Sequence, residues 1–421
     1  MAVESAPSAG EDHAVARANA RWYSTGLAAS LVGNSALSLV AGVWVKSLTG
    51  SSAQAGLVDA CMYAATVLAP VAGLIADRVS RRRLLVRLNL IAAGTVAALL
   101  LVRSRAEVWL VFAVMAAYGA ESTLMDPAED ALFAQMFTTE FRRRINGWRL
   151  TIQETGRLAS PLLGAGLFVA LGGGAVAALD AATFVLAALV ITRLRVDDAP
   201  PVERGAAEGG AGDPAPVTLG FEPPGRALRA GATHIRATPG LRPVVAAAAL
   251  VMALSGAGVA AQYSLVHGLG ERPAFLGVLS SLLGAGSIVA ALSAGRIIDR
   301  LGEPGLALIG LVDFAVGDLL RATDWLPAAV CGSLVLGFAL PYVFLATLSL
   351  AQRLTPQHLQ GRVSAAVTLA LFGPQAPMQA LGSLLIAHTS DATIFIGSAL
   401  ISLGIGAWLA LNSAARPIRA R

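Results

Sequence analysis

Six runs of about 20 mostly apolar residues, a polar stretch, and six more such runs make up most of this 421-residue chain. About 20 apolar residues is the length one helix needs to cross a bilayer's hydrocarbon core. Inside hydrocarbon each backbone N–H and C=O must be satisfied within its own segment, so runs of this length read as helices. They fall at about 22–46, 54–76, 84–102, 108–132, 147–171 and 174–193, then at about 241–266, 274–298, 304–321, 326–350, 363–387 and 392–412. The expected fold is an all-α integral membrane protein with 12 transmembrane helices. It divides into a tail (1–21), a six-helix bundle (22–195), a linker (196–240), a second six-helix bundle (241–412) and a tail (413–421). Composition agrees. Only 14% of residues are charged and 56% are hydrophobic, whereas a soluble domain carries roughly 25% charge.

Orientation follows from the arginines. The first twenty residues hold Glu4, Glu11, Asp12 and Arg17 and no apolar signal core, which argues for an N-terminus that stays inside. With that end fixed, 25 of the 31 Lys and Arg residues fall in inside loops, the linker or the tails. Five (Lys46, Arg103, Arg105, Arg272 and Arg321) fall outside, and Arg157 lies within a span. Excess basic residues in cytoplasmic loops set membrane topology, so both termini are expected in the cytoplasm and the protein in the inner (plasma) membrane. The net charge of +5 is then topology and not a nucleic-acid footprint. The linker is rich in Pro, Gly and acids up to Gly225. Its last part, with Arg226, Arg229 and Arg236, reads as a short amphipathic helix on the cytoplasmic surface. Cys61 and Cys331 sit in apolar runs and read as small buried hydrophobes.

One charged turn occurs twice. "GLIADRVSRRRLL" begins at Gly73 and "GRIIDRLGEPGLAL" at Gly295, 295 − 73 = 222 residues later. Each lies between the second and third helix of its half, so the turn repeats because the fold repeats.

These residues resemble the major facilitator superfamily, over nearly the whole chain from about Trp22 to Leu411. Gly73, Asp77, Arg78, Arg81, Arg82 and Leu85 match that family's first-loop signature, with Ser80 in place of a usual glycine. Gly295, Asp299, Arg300 and Gly302 repeat it, with Glu303 and Pro304 where a basic pair is usual. Gly156, Pro161 and Gly164 match the fifth-helix signature of proton-coupled drug exporters, with Ser160 and Ala165 replacing glycines. The stretches from Gly164 to Leu189 and from Leu354 to Ala365 resemble the branch that handles macrolides and siderophores. The arginine common in the fourth helix of those exporters is missing here. The resemblance implies two bundles related by a pseudo-two-fold axis, a small-molecule substrate exported in exchange for protons, and a monomer.

Each charge at bilayer depth costs about 2.5–3.5 kcal/mol on insertion scales and so calls for a reason. Asp77, Arg78, Arg81 and Arg82 with Asp126, Glu129 and Asp130, and Asp299 with Arg300 in the second half, read as a salt-bridged cytoplasmic gate; the arginines alone would also fix topology. Glu154 and Arg157 share a face of the fifth helix, with Arg157 roughly 15 Å of rise from the cytoplasmic end. They form either a proton-sensitive pair or a self-neutralised packing pair. Glu121, mid-way along the fourth helix, is a candidate proton carrier if burial keeps it neutral part of the time. Asp59 and Asp180, near outer helix ends, read as solvated or structural, and Asp313 and Asp318 as structural. Asn34, Ser38, Gln262, Tyr263, Tyr342, Gln375 and Gln379 are candidate cavity residues, each equally able to hydrogen-bond between helices.

No zinc-protease, Walker or nucleophile-elbow motif occurs, and the five histidines are scattered. An enzyme, a metal and a cofactor are therefore not expected. An importer or a lipid flippase of the same fold remains the rival reading, ahead of a membrane sensor.

Overall fold

The structure, a computed structural model, describes residues 9–65, 80–137, 139–194 and 224–414. Asp77 and Arg78 lie outside the described residues, as do the side chains of Asn34, Glu154 and Arg157. All the regular structure among the described residues is helical.

The helices are α1 (Ala9–Thr49), α2 (Ser52–Ala64), α3 (Arg81–Ala97), α4 (Val108–Met136), α5 (Thr139–Leu171) and α6 (Gly173–Arg193) in the first half. The second half contains α7 (Pro224–Ala237), α8 (Leu241–Gly268), α9 (Leu276–Arg321), α10 (Leu326–Leu354), α11 (Gln360–Phe372), α12 (Gln375–Ile386) and α13 (Asp391–Ala414). Eight helical stretches among the described residues are long and apolar enough to cross a membrane. Shorter apolar segments occur at Ala36–Thr49 and Leu158–Leu171.

One of the eight, Pro273–Arg321, is 49 residues long, about 70 Å at 1.5 Å per residue and far more than one crossing. It is not straight. Gly302 has φ 71° and ψ 173°, a conformation that residues with a Cβ avoid, and there the chain reverses. Gly286 before the turn and Gly310 after it both abut the same part of α10, around Leu334–Val343. The two limbs of α9 therefore lie side by side.

Alternation of the helices gives the bundle two ends. Tyr23, Leu85, Leu132, Phe137, Ile145 and Leu194 form one buried cluster where α1, α3 and α5 begin and α4 and α6 finish; we term this the terminus end. Trp44, Leu99, Val111 and Val176 cluster at the opposite, turn end. Lys46, in the last turn of α1, holds the first short turn together. Its Nζ donates to the Gly50 carbonyl and the Ser52 hydroxyl, both at 2.8 Å, and a cation also suits the negative end of a helix dipole.

The amphipathic segment is helical and turns one face onto protein. On α7, Gly231 abuts the Arg362 carbonyl of α11, and Ile235 joins the second half's core. Cys61 is half-buried and Cys331 exposed, so the latter is not the buried hydrophobe that its apolar run implies.

Candidate functional site

The two halves meet most closely at the turn end. Val43 and Ala55 of the first half share a buried apolar cluster with Tyr263, Val266, Leu276 and Leu279 of the second. Three small residues allow backbone contact across this seam, as membrane helix packing requires. Gly42 faces the Tyr263 hydroxyl, Gly56 faces Ala260 and Ser383, and Gly277 faces Ala165 and the Pro161 carbonyl. Thus the fifth-helix stretch that resembles an exporter signature lies on the seam. Pro161 and Ala165 meet α9, Gly164 sits against Ala36 of α1, and Gly156 and Ser160 are buried.

Beneath this seal a cavity of about 290 Å³ opens between the halves, near the lower end of the roughly 300–1,000 Å³ usual for small-molecule sites. Ser38, Asp59 and Tyr63 line it from the first half. Gln262, Asp318, Arg321, Gln375, Gln379 and Phe395 line it from the second. Four of the seven uncharged candidates, Ser38, Gln262, Gln375 and Gln379, are therefore brought together here. Gln375 is anchored by donating to the Met252 carbonyl at 3.1 Å. Tyr263 is held in the apolar seam, and Tyr342 shares a 2.7 Å hydrogen bond with Ser293 inside the second half.

The charged residues of this wall are not those that sequence reasoning favoured. Asp59 and Asp318 read as solvated or structural, and Arg321 as an outside loop cation. Arg321 is 3% exposed and Asp318 5%. The Arg321 guanidinium lies 5.3 Å from the centre of the Phe395 ring, within range for a cation–π contact. The spacing of Asp318 and Arg321, three apart on one helical face, was the available signal.

Glu121 occupies a different cavity, of about 100 Å³, inside the first half. Its Oε1 accepts from Thr95 at 2.8 Å, while its buried Oε2 has no partner. Ser122, Met125, Asp126 and Glu129 line the same cavity, a stripe at helical spacing running from mid-helix to the terminus end of α4. Tyr23 donates to Glu129 at 2.8 Å. Asp180, fully buried on α6, accepts from Thr183 and sits against Gly33 of α1.

At the terminus end the charged turns brace helix ends. Arg81 donates to the Ala131 carbonyl at 3.3 Å, near the end of α4, and Arg82 donates to the Ile191 and Thr192 carbonyls where α6 finishes. Asp126 and Asp130 are exposed nearby. In the second half Asp299 and Arg300 are exposed beside the Gly302 turn. There Glu303 forms a two-pronged pair with Arg353, at 2.8 Å and 2.9 Å. Glu303 and Arg353 stand 303 − 81 = 353 − 131 = 222 residues after Arg81 and Ala131, the offset of the two turns themselves. The same bracing contact recurs with its polarity exchanged. Among the described residues no group of three or more His, Cys, Asp or Glu is placed to hold a metal.

A family model described as Major Facilitator Superfamily matches residues 23–376, most of the chain. The chain belongs to that superfamily. Solved superfamily-like structures agree in fold. The nucleoside transporter NupG superposes with a TM-score of 0.73, covering 94% of this chain and 98% of its own at 13% identity. A bacterial homologue of the iron transporter ferroportin, in an inward-facing state, gives 0.69, covering 93% and 98% at 14% identity. The POT family transporter PepTSo also gives 0.69, covering 96% and 99% at 12% identity. A curated relative, macrolide efflux protein A of Streptococcus pyogenes, is 25% identical over 176 residues, 41% of this chain and 43% of the relative. The chain thus spans under half the length of the curated relatives it matches. Superfamily membership makes this a multi-pass membrane protein with a transporter fold.

Proposed function

We propose that the chain is a secondary active exporter of an amphipathic small molecule, driven by protons through alternating access. The observation that carries the reading is the cavity lined by both halves and sealed at the turn end. A site shared across the seam changes its exposure whenever the halves rock. Partial likeness to a macrolide efflux protein supports the outward direction, as does the exporter-like stretch from Gly156 to Ala165 on the seam. In this reading the protein has 12 spans, both termini are cytoplasmic, and it works as a monomer in the plasma membrane. The terminus end is then the cytoplasmic one, and substrate enters the cavity from the cytoplasm or inner leaflet.

Protons take a separate route. Glu121, approached along Glu129 and Asp126, binds the proton, with Glu154 and Arg157 as the second candidate pair. Asp77, Arg78, Arg81, Arg82, Asp126, Glu129, Asp130, Asp299 and Arg300 close the cytoplasmic side in the alternate state.

The test is accumulation of a fluorescent lipophilic substrate in cells stripped of their own pumps, with and without an uncoupler. Expression should lower accumulation, and the uncoupler should abolish the difference. Glu121→Gln should cut uncoupler-sensitive efflux at least tenfold, about 1.4 kcal/mol of coupling, while surface expression is unchanged. Efflux of normal rate and normal uncoupler sensitivity in Glu121→Gln would remove that residue from the mechanism. Raised accumulation on expression would replace export by import.

A further inference from the structure

We infer that the cavity between the halves is a binding site for an organic cation, whose charge is held by Asp59 of the first half against the Asp318–Arg321 pair of the second. This rests on the transport reading above and adds to it the substrate's charge class and the residues that read it.

Among the described residues three charged side chains line the cavity: Asp59, Asp318 and Arg321. Arg321 keeps its proton under all ordinary conditions, yet it is 3% exposed and its Nε has no hydrogen-bond partner. A buried guanidinium in this state needs nearby compensation. Asp318, three residues earlier on the same helical face and 5% exposed, is placed to supply the opposite charge. The face of Phe395 supplies the remainder. Asp318 and Arg321 thus offset each other, and among the described residues Asp59 is the one carboxylate on the wall without a matching cation there.

The rest of the wall suits the same ligand. Tyr63, Phe314 and Phe395 present aromatic surface, and Leu254, Leu283 and Leu340 add aliphatic surface. Ring faces attract positive charge as well as apolar bulk. Gln379 is 3% exposed and its Oε1 has no partner, so it offers an acceptor to a donor group on the ligand. An anion would face two carboxylates for one guanidinium. A neutral solute would give the Asp59 carboxylate no opposite charge to pair with. A monovalent cation with an aromatic or apolar body satisfies all of these groups together. Because Asp59 and Asp318 belong to different halves, the bound cation bridges the seam that opens and closes.

The experiment uses the full chain in lipid nanodiscs at fixed pH. Binding of methyltriphenylphosphonium is compared with binding of triphenylphosphine oxide, a neutral molecule with the same three aromatic arms. The cation should bind at least tenfold tighter than the oxide. Asp59→Asn should weaken the cation tenfold or more and change the oxide less than twofold. Asp59→Glu should hold the cation within about fivefold of the parent, which separates loss of charge from loss of structure. A parent protein that does not prefer the cation overturns the proposal, as does an equal loss of both probes in Asp59→Asn. Neither result bears on proton-driven export, which the accumulation assay decides by itself.

Discussion

Gly56→Leu is expected to abolish transport while leaving the protein folded and in the membrane. A Cβ on residue 56 would stand 2.5 Å from the Ala260 Cβ and 2.7 Å from the Ser383 hydroxyl, both across the seam. Neither neighbour can give way by rotating a long side chain, since one is a methyl group and the other a short hydroxymethyl. Overpacking of this kind costs about 1–3 kcal/mol, and the whole cost falls on the conformation in which the turn end is shut. The balance between conformations would move by roughly 5- to 150-fold towards the one in which the halves part there. Two measurements check this. Substrate efflux should fall to background, and a cysteine placed at Ser38, with Cys61 and Cys331 replaced by alanine, should become more reactive to an impermeant maleimide from the turn-end side. Retained efflux with unchanged labelling would mean that the seam is not a moving contact. Gly94, whose Cβ would meet nothing within 4 Å, supplies the control: Gly94→Leu should leave both readouts near the parent's.

The helical architecture was legible because the bilayer admits so few solutions. An apolar run of about 20 residues has to be a helix there, and the helices α4, α6, α8, α10 and α13 stand where such runs fall. Less legible was where the polar segments go. The amphipathic stretch around Arg226–Arg236 has the pattern of a membrane-surface helix, but the same pattern serves to cover a neighbouring helix. Here Gly231 and Ile235 turn one face onto the second half while Arg226, Arg229 and Arg236 stay exposed.

The candidate site was half legible. Ser38, Gln262, Gln375 and Gln379 were singled out as polar groups in apolar helices, and all four line the cavity between the halves. Asp59 was set aside for its place near an outer helix end, Asp318 as structural, and Arg321 as an outside-loop cation. Depth along a helix says how far a residue is from the headgroups but not which way it faces. Arg321 is the clearest case: the last residue of α9 looks like a loop cation, yet α10 and Phe395 of α13 enclose it. Glu121 was correctly seen as a buried acid in α4, but periodicity could not tell whether it faced the other half or its own. Its partner Thr95 on α3 puts it in the first half's interior.

Arg353→Ala should destabilise the protein by about 2–3 kcal/mol, a little under the 3–5 kcal/mol typical of breaking a fully buried pair. The discount reflects Arg353's own exposure of 43%; the Glu303 side chain across from it is only 9% exposed. Truncating the arginine leaves that carboxylate buried with both its hydrogen bonds gone. Glu303→Gln should cost less, because Arg353 stays largely solvated and the amide oxygen still accepts one bond. The second half uses an acid at 303 for a reason that the first half shows. Arg81 braces α4 by donating to a backbone carbonyl near its end. In α10 the last turn already carries its own cation, Arg353, favourably placed at the negative end of the helix dipole. A second arginine at 303 would repel it, and an acid pairs with it. The exchanged variant Glu303→Arg with Arg353→Glu should therefore recover part of the loss of Arg353→Ala, though not all, because an acid in the last turn of α10 opposes the dipole. Thermal unfolding of the solubilised protein gives the order: parent, Glu303→Gln, the exchanged pair, then Arg353→Ala. Equal melting points for Arg353→Ala and the parent would show that the pair does not hold the two helices together.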